Sequence, residues 1–153
     1  MITDNTQATS RQISETVQAG QICPKVLCID DDPNVSEAIA RRLHSYDVEV
    51  VRAFHGMHGF WLAVTEKPDV IITDLRMPQG EGEYVVECLK GNSETAHIPV
   101  IVLTGKSEPG LEDKLFRLGV EHFLPKPASF DEILDKLGQY VKLRKRVSIE
   151  CAE

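Results

Sequence analysis

The chain has 153 residues, 42% of them hydrophobic and 27% charged, with a formal net charge of -7; this composition fits one globular domain with a real core. The acidity disfavours nonspecific contact with nucleic acid, and no apolar run approaches the roughly 20 residues that span a bilayer, so neither direct nucleic-acid binding nor membrane insertion is expected. The opening MITDNTQATSRQISETVQAGQ lacks the basic start and apolar stretch of a secretory signal, and Cys23, Cys28, Cys88 and Cys151 form no C-x-x-C pair, so a cytoplasmic protein with free thiols is expected.

Residues 1–23 read as a flexible polar tail in which Ile13 and Val17 are scattered apolar positions. Val26, Leu27, Cys28 and Ile29 form a short apolar strand running into Asp30, Asp31 and Asp32, and Pro33 suits the first turn of a helix capped by Asp32. Val35, Ile39, Leu43 and Tyr46 recur at helical spacing and predict a helix over 33–46. A strand follows at Val48 to Ala53. After His55-Gly56, a second helix through Phe60, Leu62, Ala63 and Val64 ends near Glu66 at Lys67-Pro68, and Gly59 is expected to weaken it.

Within the stretch Val70 to Pro78, VIITDLRMP, the apolar run reads as a strand ending at Asp74 and buried on both faces, because a half-buried strand would alternate apolar and polar residues. It leaves a lone carboxylate, Asp74, at its carboxyl end. The loop from Arg76 to Gly82 leads to a third helix through Tyr84, Val85, Val86, Cys88 and Leu89, expected to stop at Gly91-Asn92 in a left-handed cap. Pro99 to Leu103 is a fourth strand ending in Thr104. Leu111, Leu115, Phe116 and Leu118 make a fourth helix with Gly119 as its cap, and Val120 to Leu124 is a fifth strand ending in Pro125-Lys126-Pro127. A last helix carries Phe130, Ile133, Leu134, Leu137 and Val141 on one face, and the cluster Lys142, Arg144, Lys145 and Arg146 reads as its cation-rich end, favoured by the macrodipole.

Five strands alternating with five helices predict a doubly wound parallel sheet with helices on both faces. Right-handed crossovers bring the strand ends to one edge, so Asp30, Asp31, Asp74, Thr104 and Lys126 converge there. Each pair of carboxylates about 4 Å apart costs on the order of 4 kcal/mol at an effective dielectric of 20, so a cation is required. Mg2+ suits a few carboxylates with its other positions left to water and phosphate oxygen. Lys126 adds a second cation and Thr104 a hydroxyl donor. A carboxylate nucleophile with a metal, an ammonium and a hydroxyl is the set needed for phosphoryl transfer onto Asp74.

With its VLCIDDDP, VIITDLRMP, VIVLTG and FLPKP segments, the chain resembles the receiver domain of two-component response regulators. The match covers roughly residues 24–143, leaving 1–23 as a tail and 144–153 as a short C-terminal tail. The resemblance implies a flavodoxin-like (βα)5 fold with strand order 2-1-3-4-5. It implies that Asp74 accepts a phosphoryl group from the phosphohistidine of a sensor histidine kinase or phosphotransfer protein, and that Asp30 and Asp31 hold Mg2+ with Asp74 and the main-chain carbonyl of Arg76. Thr104 and Lys126 would contact the phosphoryl oxygens, Phe123 matches the aromatic that moves inward on activation, and the Lys126-Pro127 bond would be cis. Such a regulator catalyses only its own phosphotransfer and autodephosphorylation. Gly105 stands where alanine is common, Gln79 replaces a frequent glycine and Glu81 a frequent aspartate.

Output is expected through a protein partner or a second copy of the chain, on the face of the fourth helix, fifth strand and last helix, because Thr104 and Phe123 lie on strands flanking it. The stretch after Val141 is far below the roughly 40-residue floor for an independent domain. Arg76 and Lys106, each two positions beyond a site residue, are expected at the mouth of the pocket. Neither cation can accept a proton from an attacking water, which predicts slow self-dephosphorylation. Phe60 and Trp61 read as packing, and His44, His55, His58, His97 and His122 lack metal-ligand spacing. A flavin binder is disfavoured because Asp30-Asp31-Asp32 would repel a cofactor phosphate, and an aspartate-dependent phosphatase because Leu75-Arg76 follows Asp74 where a second acid is needed. A degenerate receiver that binds partners without phosphorylation stays open.

Overall fold

Parallel pairing orders the chain around β1 (Lys25–Ile29). It lies between β2 (Glu49–Ala53) and β3 (Val70–Thr73), with β4 (Val100–Thr104) and β5 (His122–Pro125) beyond β3, giving the order β2-β1-β3-β4-β5. The computed structural model describes residues 23–77 and 81–147. The tail over 1–22, residues 78–80 (Gln79 included) and residues 148–153 lie outside them, as does the Glu81 side chain. Register decides where the chemistry sits: Ile29 pairs with Thr73, so the next residues, Asp30 and Asp74, emerge side by side. The ladder continues as the Asp74 N–H donates to the Ile29 carbonyl (2.9 Å) and the Lys126 N–H to the Thr104 carbonyl (2.9 Å).

Four helices connect the strands and a fifth follows β5: α1 (Pro33–Leu43), α2 (Gly56–Glu66), α3 (Glu81–Gly91), α4 (Leu111–Leu118) and α5 (Phe130–Leu137). Side-chain alternation splits the core in two. Leu27, Ile29, Ile71, Val100 and Val102 pack with Ala63 of α2, Val85 and Leu89 of α3, and Leu115 of α4. Val26, Cys28, Ile72 and Leu103 pack on the other side with Ile39 and Leu43 of α1 and Ile133 and Leu137 of α5. Every residue of β3 and β4 is buried, as continuous apolar runs require. Among the described residues no helix is long and apolar enough to cross a membrane, and Cys23, Cys28 and Cys88 are free thiols.

Several local expectations are corrected. α1 stops at Leu43 rather than 46, because Tyr46 forms an antiparallel bridge with Lys145, whereas β3, ending at Thr73, leaves Asp74 at its carboxyl end as expected. Gly59, expected only to weaken α2, sits where an added Cβ would lie 2.5 Å from Ile29 Cδ1, so its absence lets α2 close onto β1. The left-handed cap at Gly91-Asn92 does not form: positive φ among the described residues is confined to Lys67, Gly110 and Gly119. Instead Asn92 Oδ1 accepts from the Glu94 N–H (2.8 Å), closing a turn. Gly119 caps α4 as expected, at φ 104°.

β5 begins at His122, two residues after the apolar Val120. α5 opens on a capping box between Ser129 and Glu132 and ends at Leu137, before the poor helix former Gly138. Val141 is buried beyond the helix, and the basic cluster is not a helix terminus. The chain there runs back past α1: the Asp47 N–H donates to the Arg144 carbonyl (2.8 Å), the Arg146 N–H to the Ser45 carbonyl (2.8 Å), and the Arg146 guanidinium pairs with Asp47 at 3.4 Å.

Candidate functional site

Two carboxylates and one ammonium form the centre of the strand-end edge. Asp30 and Asp74 are 3% and 5% exposed, too little for solvent to satisfy their charge. Lys126 Nζ lies 3.0 Å from Asp30 Oδ2 and 2.9 Å from Asp74 Oδ2, bridging them. Asp74 Oδ1 accepts from the N–H groups of Leu75 (2.6 Å) and Arg76 (2.9 Å), while Asp30 Oδ1 accepts from the Asp32 N–H (2.9 Å). Lys126 is delivered by the end of β5 and precedes a cis Lys126-Pro127 bond, as the sequence resemblance implies.

Unequal donor sets push the two carboxyls apart. Burial would raise Asp74, but the Arg76 N–H, the Lys126 ammonium and the Thr104 hydroxyl outweigh it and hold the carboxyl below its usual value. At Asp30 burial prevails over the Asp32 N–H and Lys126, and the carboxyl is pushed up. Burial pulls Lys126 down, yet the hydrogen bonds and charges of Asp74 and Asp30 leave it raised.

Asp31 is exposed, and its ligand atom lies with those of Asp30 and Asp74 inside one group whose members are all within 4.8 Å of one another. Three carboxylate oxygens facing a single ammonium leave an excess of negative charge. That donor set suits a hard oxygen-seeking divalent ion such as Mg2+. The site can therefore hold a metal beside an ionised carboxylate that faces a cation.

Thr104 ends β4 and is buried; its Oγ1 accepts from the Lys106 N–H at 3.1 Å. Thr104 and Lys126 line a cavity of about 200 Å³ together with Lys106, Glu108, Phe123 and Pro125. Phe123 is half-buried, packed against the core beneath α2, α3 and α4. The structure thus gathers Asp30, Asp31, Asp74, Thr104 and Lys126, with Phe123 in the adjoining cavity. The two expected gateposts behave differently. The Arg76 side chain is exposed, but Lys106 Nζ is held by Glu83 Oε1 of α3 at 2.6 Å and lies 3.6 Å from Glu108. Sequence reasoning missed Glu83, whose partners lie 23 and 31 positions away. It also missed an apolar groove of about 640 Å³ between α1 and the start of α5, lined by Val35, Ile39, Arg42, Leu103, Lys126 and Phe130.

Residues 26–138 match the family described as response regulator receiver domain. A hybrid signal transduction histidine kinase D of Dictyostelium discoideum is 31% identical over 139 residues, which are 91% of this chain and 9% of that protein. The DNA-binding dual master transcriptional regulator RpaA of Synechocystis is 33% identical over 126 residues, covering 81% of this chain and 52% of its own length. The chain therefore spans a small part of the first relative and about half of the second. Among solved structures, the Vibrio cholerae chemotaxis protein CheY4 superposes with a TM-score of 0.71 at 26% identity, over 78% of this chain and 100% of its own.

Proposed function

Because the chain belongs to the response regulator receiver domain family, we propose that Asp74 is its phosphoacceptor, charged by the phosphohistidine of a sensor histidine kinase or phosphotransfer protein. The observation that carries this reading is the division of labour on Asp74. Oδ1 is occupied by two backbone N–H groups, leaving Oδ2 as the oxygen that faces Lys126 and can attack. The histidine N–P bond breaks as the Oδ2–P bond forms, and the imidazole nitrogen keeps the electron pair. The Lys126 ammonium then follows the negative charge onto a phosphoryl oxygen, and the Thr104 hydroxyl donates to another.

Asp30, Asp31, Asp74 and the main-chain carbonyl of Arg76 would hold Mg2+, which supplies charge neutralisation at the transferring group. Catalysis by the chain would be limited to its own phosphotransfer and autodephosphorylation. The free thiols suit a reducing cytoplasm.

The receiver unit would extend over 24–143, between tails 1–23 and 144–153. Output would pass to a protein partner or a second copy through the face of α4, β5 and α5, since Thr104 and Phe123 share one cavity beside it. Arg76 and Lys106 would lengthen the phosphoryl lifetime. Both Glu83 oxygens near that mouth are engaged by ammonium groups, so neither is free to accept a proton from water. The test is Mg2+-dependent labelling by acetyl phosphate. Labelling of the wild type that is lost in Asp74→Asn is the expected result. A wild type that stays unlabelled with Mg2+ would instead support the degenerate, phosphorylation-independent interaction module.

A further inference from the structure

We infer that Glu83 is a positioning residue for phosphoryl recognition, acting through Lys106 on the hydroxyl of Thr104. The inference rests on the phosphoacceptor reading and assigns a role to a residue that never approaches the phosphoryl group.

The first turn of α3 rides on the segment behind Asp74, since a Cβ on Gly82 would overlap the Leu75 backbone. The next residue, Glu83, is half-buried and forked: Oε1 is 2.6 Å from Lys106 Nζ and Oε2 is 2.8 Å from Lys114 Nζ. One carboxylate thus joins α3 to the loop after β4 and to α4. The two lysines hold the Glu83 carboxyl below its usual value, and Glu83 holds the Lys106 ammonium above its own.

Lys106 is engaged twice. Its side chain is fixed by Glu83, and its N–H donates to Thr104 Oγ1 at 3.1 Å. A hydroxyl has one hydrogen and two acceptor lone pairs, so an N–H arriving at one lone pair steers the hydrogen away from the loop. Thr104 lines one cavity with Lys126, which in turn bridges to Asp74, so a hydrogen steered away from the loop is available to a ligand at that edge. The sequence between Thr104 and α4 is Gly105 to Gly110, without helix or strand and with Gly110 at φ 79°. Such a loop keeps the Lys106 N–H on Thr104 only if something anchors it, and Glu83 is the anchor that this geometry provides. A partly exposed ion pair contributes little to folding, so its loss is expected in ligand recognition rather than in stability.

The full chain would be titrated with Mg2+ alone, and with beryllofluoride at saturating Mg2+, following amide shifts in wild type, Glu83→Gln, Thr104→Val and the double variant. The expected result is a loss of about threefold to tenfold in beryllofluoride affinity for Glu83→Gln, with Mg2+ affinity unchanged within about twofold. The double variant should bind no more weakly than Thr104→Val alone, because Glu83 acts only through that hydroxyl. A merely structural role would weaken both ligands together. Unchanged or tighter beryllofluoride binding by Glu83→Gln, or fully additive losses, would overturn the inference. Should Glu83→Gln fail to fold, Lys106→Met breaks the same pair from its other end and must show the same selective loss. Failure of the wild type itself to bind beryllofluoride would refute the phosphoacceptor reading beneath.

Discussion

Gly59→Ala tests whether packing or helix propensity governs α2. Propensity alone says that alanine in a helix interior should stabilise by about 1 kcal/mol. The geometry says otherwise. The new Cβ would lie 2.5, 2.7 and 2.9 Å from Cδ1, Cγ1 and Cγ2 of Ile29, closer than carbon atoms approach without one of them moving. Ile29 cannot yield cheaply, because it is fully buried and held in register by β2 on one side and β3 on the other. Overpacking of this kind costs about 1–3 kcal/mol, so after the propensity gain the expected net change is a loss of up to about 2 kcal/mol, or up to roughly 8 °C in Tm. The strain also reaches the site, since Ile29 precedes Asp30 and its carbonyl accepts from the Asp74 N–H; Mg2+ affinity should therefore fall as well. Urea unfolding followed by far-UV circular dichroism measures the first effect and a Mg2+ titration the second. Gly91→Ala is the control: a Cβ there meets nothing within 4 Å, so it should be neutral or slightly stabilising. A Gly59→Ala protein more stable than wild type by the full gain of about 1 kcal/mol that propensity alone gives would refute the reasoning.

Asp30→Asn should stabilise the metal-free protein at neutral pH by on the order of 1 kcal/mol, by removing a buried carboxylate. Because burial raises the Asp30 carboxyl, its contribution to stability is fully present below the unfolded value and is lost as pH rises through the folded one. The gain should therefore vanish toward pH 3, as denaturant midpoints against pH in EDTA would reveal. Burial, with Asp30 adding to it, pushes the Cys28 thiol up to about 12. An iodoacetamide pulse at pH 8 should thus alkylate exposed Cys23 and spare Cys28 until the chain unfolds, as read by peptide mass spectrometry. Lys90→Met should cost about 2–3 kcal/mol in chemical denaturation, since its 8%-exposed side chain pairs with Glu121 at 2.8 Å. Arg41→Ala, which breaks an exposed pair with Glu37, should cost under about 0.5 kcal/mol.

The fold and most of the site could be read from the sequence for one physical reason. A strand buried on both faces must be apolar throughout, so VLCI, VII and VIVL declare themselves, and the polar residue that ends each run marks the working edge. Register then brings Asp30 beside Asp74 without any further instruction. What escaped depends on contacts between distant segments. Gly59 looks like a helix defect until Ile29 is seen beneath it. The basic stretch after Val141 looks like a helix end until Tyr46 is found paired with Lys145. Lys106 looks like a free gatepost until Glu83 is found holding it. Ser129 and Glu132 are a different case, because the Ser-x-x-Glu spacing of their capping box is local and legible in the sequence itself.

The asymmetry between Asp30 and Asp74 bears on why the proposed phosphoacceptor is the one it is. Lys126 cannot choose between them, since its distances of 3.0 and 2.9 Å are nearly equal. The backbone makes the difference. The turn after β3 aims two N–H groups at Asp74 Oδ1, whereas the turn after β1 aims one at Asp30 Oδ1. Hydrogen bonds that favour the charged form lower one carboxyl, and burial without enough of them raises the other. Environments that drive two carboxyls apart assign them different work. Asp74, kept ionised by its own turn, is suited to attack. Asp30 is costly to hold charged, and a divalent ion held by Asp30, Asp31 and Asp74 would offset that cost. The unequal work of the two carboxyls thus follows from the local backbone geometry of two strand ends.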